Sequence, residues 1–329
     1  MNDFDAIVIG AGHNGLVCAA YLAHGGMRTL LVEARGSVGG TASSERWAGA
    51  TAPDAVPVWV NEAARDRDGR SQATETGTGQ PDLAEDDILR FARGNRAGDC
   101  VHAVFEQADF TSSVDWLGVI ESALAMHPPG PPATADGHAQ RARQLARMMR
   151  DVTTTVLPPG FALREVPVAR RLVEWEFHLP SRQFDAGALS RLLATYDYPV
   201  PALKFAPLSG YLHGFVDLVA EHAGRYYVID WKSNFLGATA ADYAASEVSA
   251  AMAKDSYHLQ HLLYTVALHR FLAQRVSGYD YERDIGGTLY LFVRGVRPDW
   301  PGAGVYFNRA PRRLIEDLSA LFGDGGVRP

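Results

Sequence analysis

Two aspartates break adjoining apolar runs, and this constrains the chain more than any other feature. Asp217 lies within Gly214-Phe215-Val216-Asp217-Leu218-Val219, and Asp230 within Tyr226-Tyr227-Val228-Ile229-Asp230-Trp231-Lys232. The runs read as strands over 211–220 and 225–229, joined by a turn at His222-Ala223-Gly224. A carboxylate inside a buried strand is costly unless it is paired or bound to a metal. Side chains alternate along a strand, so Asp230 and Lys232 point the same way. Two strand carboxylates with a lysine two residues beyond the second suit divalent-metal hydrolysis of a phosphodiester. The acids hold a hard cation through oxygen, the metal activates water, and the lysine orients that water or neutralises the developing charge. Taken alone, Asp-x-Lys is commonly a surface ion pair. The Gly-x-x-Asp before the turn and Gln260-His261-Leu262-Leu263-Tyr264 after it weigh against that reading. Gln260 and Tyr264 are four apart and share a helix face, where they meet DNA or buttress the site.

Around this pair the pattern is helices first, then strands with helices between them. Helices are expected over 98–110, 114–126, 139–156 and 257–276, with a hard break at Pro128-Pro129-Gly130-Pro131-Pro132. Further strands are expected over 172–179 and 288–293. The class is therefore α/β, with its own core from about residue 88 to 329. His258, His261 and His269 sit on the 257–276 helix with no acid between them, so a solvated or DNA-side role is expected rather than a metal site. Trp231 is expected in the core.

The N-terminus carries a different signal. Ala6-Ile7-Val8-Ile9 reads as a buried parallel strand, and Gly10-Ala11-Gly12-His13-Asn14-Gly15 follows it. A helical apolar spacing then leads to a second strand, Thr29-Leu30-Leu31-Val32-Glu33. This is a Rossmann-like βαβ unit over residues 1–50. Gly10, Gly12 and Gly15 let the backbone approach a pyrophosphate at a helix N-terminus, and Glu33 takes ribose hydroxyls. With Val38-Gly39-Gly40-Thr41-Ala42 after the acid, the stretch resembles the start of FAD-dependent phytoene-desaturase-like and amine-oxidase-like oxidoreductases. The resemblance stops near Ala50. Nothing after it matches the family's flavin-ring pocket, substrate pocket or second FAD segment, so FAD is not expected to be retained. Residues 51–87 are polar and rich in glycine and proline, and read as a disordered linker.

Several classes are excluded. A net charge of −7 does not suit gripping nucleic acid by bulk positive charge. Apolar runs fall short of the roughly 18–20 residues of a membrane span, and the acidic start lacks a signal's basic region, so a cytoplasmic protein is expected. Cys18 and Cys100, without a CxxC, exclude a disulfide framework and a cysteine zinc site. Lysine occurs at Lys204, Lys232 and Lys254 alone, among 31 lysines and arginines, which makes each lysine worth a question.

The segments GDCVHAVFE, GFVDLVAEHAGRYYVIDWKSNFLG and YHLQHLLYTVALHRFLAQRVSGYDYERDIGGTLYLFVRGV resemble the C-terminal nuclease domain of the RecB family of helicase–nucleases. That resemblance implies a restriction-endonuclease-like, PD-(D/E)xK nuclease core with flanking helices, and a magnesium- or manganese-dependent exodeoxyribonuclease. By position it puts a metal-binding histidine on His102, an early motif glutamate on Glu174 rather than Glu176, metal aspartates on Asp217 and Asp230, and the catalytic lysine on Lys232. Its Gln-x-x-x-Tyr motif falls on Gln260 and Tyr264. Trp231 stands where a tyrosine is usual. The resemblance implies DNA as substrate, RecC- and RecD-like subunits and RecA as partners, and a role in double-strand-break repair. The family's helicase has no counterpart here, since no GxxxxGK(S/T) loop occurs. The open alternatives are a truncated FAD-dependent oxidoreductase and an inactive fusion fragment that serves as an interaction module.

Overall fold

The computed structural model describes residues 6–9, 29–32, 83–131, 134–196, 198, 208–255 and 257–323. The chain divides into two units, Met1–Ala55 and Val56–Pro329. In the first, β1 (Ala6–Ile9) and β2 (Thr29–Val32) pair in parallel, Ala6 opposite Thr29 and Ile9 opposite Val32. Parallel pairing of strands about twenty residues apart is what a βαβ crossover produces. Gly10, Gly12, Gly15 and Glu33 lie outside the described residues.

The second unit opens with three helices: α1 (Asn95–Gln107), α2 (Trp116–Met126) and α3 (Ala135–Thr154). Helix α1 starts earlier than the apolar spacing indicates, after Gly94, whose φ of 97° favours glycine. Helix α3 also starts earlier, because the Thr134 hydroxyl accepts the Gly137 N–H at 3.2 Å and caps it. Then come β3 (Arg171–Phe184), α4 (Ala186–Thr195), β4 (Leu208–His222), β5 (Arg225–Lys232), α5 (Ala245–Lys254) and α6 (Tyr257–Arg275). The chain closes with α7 (Tyr281–Asp284), β6 (Ile285–Phe292), β7 (Val305–Asn308) and α8 (Arg312–Phe322).

The five strands form one sheet in the order β3-β4-β5-β6-β7. All neighbours are antiparallel except β5 and β6, which the α5–α6 crossover makes parallel. The β4–β5 turn is tight, with Ala223 and Gly224 at φ of 51° and 77°, as a two-residue hairpin requires. Alternation along β5 assigns its two faces. Tyr227, Ile229 and Trp231 join the core shared with α1, α2 and α3, while Val228 joins the core shared with α6 and α8. Among the described residues no helix is long and apolar enough to cross a membrane.

Helices α4, α5 and α8 and strand β7 have no counterpart in the sequence reading. Helix α8 buries Leu314, Ile315, Leu318 and Phe322, an i, i+1, i+4, i+8 stripe, against the α6 side of the sheet. Residues 83–87, read from sequence as the end of a linker, are built into this unit. The carboxylate of Asp87 accepts both terminal nitrogens of Arg297, at 2.8 and 3.2 Å, and Arg147 pairs with Asp86 at 2.7 Å. Arg294 is fully buried. Its guanidinium donates to the carbonyls of Ser233 (2.6 Å), Ile88 (2.8 Å), Phe91 (3.2 Å) and Ala92 (2.6 Å). Buried charge is tolerated there because acceptors surround it.

Candidate active site

Asp217, Asp230, Lys232 and His102 are 8%, 1%, 3% and 8% exposed, so all four are buried polar groups that need partners. Strands β4 and β5 pair Leu218 with Ile229, and continuing that register by one step sets Asp217 opposite Asp230. The Asp217 Oδ2 accepts the Trp231 N–H at 2.8 Å, and the same oxygen lies 3.6 Å from the His102 Nδ1. His102 arrives on α1, which is held against the sheet by Phe105 stacked on Trp231, ring centroids 4.2 Å apart. Trp231 is thus a core residue that fixes the height of α1 over the site.

On β5, the Lys232 Nζ lies 2.5 Å from the Asp230 Oδ2. The ammonium is 4.1 Å from the ring centroid of Tyr257 and 5.4 Å from that of Tyr290. Burial pushes the Asp230 carboxyl up to about 7; the neighbouring Asp217 charge adds to the rise, and Lys232 and His102 oppose it. Asp217 and Asp230 are thus two buried acids side by side, opposed by Lys232 and His102.

Glu174 and Glu176 are separated by backbone geometry. Strand pairing puts Val173 against Leu218 and Trp175 against Val216, so Glu174 sits across from Asp217. Its φ is 48°, a left-handed conformation that costs a non-glycine strand residue about 1–3 kcal/mol and recurs at functional sites. Glu176 instead pairs with the half-exposed His178 at 3.3 Å.

Gln260 and Tyr264 are buried on α6. The Gln260 amide donates to the Tyr264 hydroxyl at 2.9 Å, and its oxygen accepts the Tyr290 hydroxyl at 2.9 Å. Of the two roles open from the sequence, these contacts fit buttressing. The sequence reading of the α6 histidines needs correction. His258 and His261 are buried, and His269 is half-buried, rather than solvated. The first twelve residues of α6 are enclosed on all sides, because the helix lies against the sheet and is flanked by α5 and α8. His261 meets the Tyr198 hydroxyl, and the Tyr306 hydroxyl lies 3.3 Å from the His258 Nδ1. The sequence reading missed Tyr257 and Tyr290. The nearest signal for Tyr290 is its place in an apolar strand, where a hydroxyl needs a partner.

A family model described as the PD-(D/E)XK nuclease superfamily matches residues 81–318. The chain belongs to that superfamily. Its five-stranded mixed sheet and flanking helices are the α/β core expected from the sequence. The PD-(D/E)XK match begins at residue 81, in step with the ordered contacts of 83–87. A second model, described as an NAD(P)-binding Rossmann-like domain, matches residues 8–62. The fingerprint resemblance to FAD enzymes is thus joined by a match to a nicotinamide-dinucleotide family, reaching into the stretch read as linker.

Similar curated proteins are RecBCD enzyme subunits RecB. The one from Escherichia coli (strain K12) is 36% identical over 251 residues, 71% of this chain and 19% of that protein. The one from Haemophilus influenzae is 32% identical over 269 residues, 80% of this chain and 21% of that protein. The one from Mycobacterium tuberculosis (strain H37Rv) is 36% identical over 272 residues, 73% and 25% of the two chains. The chain therefore spans about a fifth to a quarter of the length of the curated relatives it matches.

PD-(D/E)XK nucleases generally use divalent metal ions. The donor types fit such an ion: two buried carboxylates and one imidazole, with Asp230 raised first by burial and then by the charge of Asp217. Among the described residues no three His, Cys, Asp or Glu side chains already stand in the spacing that holds a metal. Asp230 contacts Lys232, and Asp217 the Trp231 N–H, each through Oδ2.

Proposed function

We propose that the PD-(D/E)XK unit, from about residue 81 onward, forms a DNA nuclease of RecB type that hydrolyses phosphodiester bonds as a Mg²⁺-dependent exodeoxyribonuclease, with Mn²⁺ as a substitute. The observation that carries this reading is the buried set of Asp217, Asp230, Lys232 and His102 in a PD-(D/E)XK sheet. Asp217, Asp230 and His102 are the residues to hold the cation. Bound there, it supplies a Lewis acid that lowers the pKa of a water and offsets charge on the scissile phosphate. Lys232 is a compact ammonium beside Asp230, placed to orient the attacking water and to share the charge that develops on phosphorus-bound oxygen. Glu174, across from Asp217, is the further carboxylate for positioning water or cation. Gln260 and Tyr264 hold the wall behind Lys232.

The RecB likeness further points to double-strand-break processing in the cytoplasm, on DNA delivered by a helicase with RecC- and RecD-like subunits and RecA. No GxxxxGK(S/T) loop occurs within these 329 residues, so unwinding is assigned to a motor outside them. The N-terminal unit, about 1–50, is an FAD- or NAD-type nucleotide-binding fragment. The test is release of acid-soluble nucleotides from linear DNA by the purified chain. Release that needs Mg²⁺ and is lost in Lys232→Ala supports the reading. Equal release by the wild type and Lys232→Ala, with or without metal, would reject it.

A further inference from the structure

We infer that Tyr257 and Tyr290 form an aromatic seat for the Lys232 ammonium, with Tyr257 as a positioning residue for the reaction. Its kinetic consequence rests on the nuclease reading above.

A lysine carries its charge on a flexible four-carbon stem, and one carboxylate does not fix where that charge stands. Here three groups from three elements converge on it. Asp230 holds it from β5 at 2.5 Å, Tyr257 presents its ring from the first turn of α6 at 4.1 Å, and Tyr290 presents its ring from β6 at 5.4 Å. Both ring distances lie within the roughly 6 Å over which a ring face attracts a cation, and the attraction is strongest where water is excluded. The side chain of Lys232 is 4% exposed, so the group is screened from bulk solvent.

The rings are themselves held. Tyr257 and Tyr290 stack with centroids 5.8 Å apart and planes 27° apart. The Tyr290 hydroxyl donates to the Gln260 oxygen at 2.9 Å, and the Gln260 amide donates to the Tyr264 hydroxyl at 2.9 Å. Parallel pairing of β5 and β6 sets Tyr290 directly beside Asp230. Tyr257, Gln260 and Tyr264 stand at i, i+3 and i+7, one stripe of α6. One helix face therefore carries both the nearer ring and the amide that locks the farther one. The seat gives the Gln-x-x-x-Tyr spacing a physical purpose: it fixes Tyr290, and through it the place of the ammonium.

The experiment exploits the scarcity of lysine in the chain. In the full-length protein labelled with ¹³C-lysine, Lys232→Arg identifies the Lys232 signals by their loss. Ring faces at these distances shield the Lys232 side-chain protons, so they are expected upfield of those of exposed Lys254. Tyr257→Leu should move them toward the Lys254 position, while Tyr257→Phe, which keeps the ring, should not. In Mg²⁺-dependent cleavage, Tyr257→Leu should lower kcat about 3- to 30-fold at unchanged KM, and Tyr257→Phe should retain most of the rate. Lys232 resonances of the wild type coinciding with those of Lys254 would overturn the seat, whatever the variants do. So would a folded Tyr257→Leu protein with wild-type kcat. A wild-type chain that cleaves nothing would count against the nuclease reading instead, while the shift still decides the seat.

Discussion

In the proposed reaction Lys232 is the residue on which the chemistry turns. Lys232→Ala should keep the fold, because Tyr227, Val228, Ile229 and Trp231 still anchor β5 in both cores, and lose about 10²–10³ in kcat, the usual cost of one electrostatic contact to a transition state. Lys232→Arg should not restore it, since a planar fork does not fit a seat shaped by two rings and a carboxylate around a compact ammonium. Steady-state rates on linear DNA check both, and full activity in the alanine variant would make Lys232 a mere ion-pair partner. His261 offers a test of stability. Burial, and after it the neighbouring His258, pushes its imidazole down to about 3, below the ordinary value near 6.5. The unfolded chain then binds the proton first, so this contribution is complete above about pH 6.5 and is lost as pH falls from there toward 3. Between pH 7.5 and 5 the folded state should lose about 2 kcal/mol from this group. Across that range the urea midpoint of the wild type should fall relative to that of His261→Gln.

Among the elements, the β4–β5 hairpin was the most legible; α6 was read in its place over 257–276, but its burial was misread. The hairpin announced itself because Asp217 and Asp230 interrupt otherwise apolar strands at a spacing that a two-residue turn brings face to face. His102 and Glu174 needed the family likeness, since a histidine on an apolar helix and a glutamate in a strand carry no signal of what lies across from them. Helix α6 misled because His258, Gln260 and His261 look like a polar face; only the packing of α5, α8 and the sheet around the helix removes every solvated side. Tyr257 and Tyr290 were invisible for the same reason, as their partner is an ammonium reached only through strand order. The segment before α1 has an energetic role of its own. Burial raises the Asp87 carboxyl, yet its bonds to Arg297 and to the Leu89 N–H outweigh that and hold it below the usual range. Asp87→Ala would strand a buried guanidinium and should cost about 3–5 kcal/mol, read as a lower urea midpoint.

At the scale of the whole molecule, the chain joins a PD-(D/E)XK unit to a short Rossmann-like fragment. The fragment offers glycines for a pyrophosphate, but a unit of this length has too little core to bind a flavin firmly. The purified protein should therefore be colourless. Stoichiometric absorbance near 450 nm surviving purification would instead make Gly10, Gly12, Gly15 and Glu33 cofactor residues and the oxidoreductase reading the leading one. A chain starting at residue 81 should match the full protein in Mg²⁺-dependent cleavage.

The four carbonyls gathered by Arg294 have a consequence for when the enzyme comes into being. Three belong to residues 88–92 and one to Ser233, next to the lysine, while the guanidinium itself is more than two hundred residues downstream of the first. Closing so long a loop is entropically expensive until the contacts that reward it exist. During synthesis, the first turn of the nuclease unit and the tip of β5 must wait for β6 to emerge before either is pinned. A ribosome-bound intermediate that stops short of Arg294 therefore carries the acids and the lysine without this clasp.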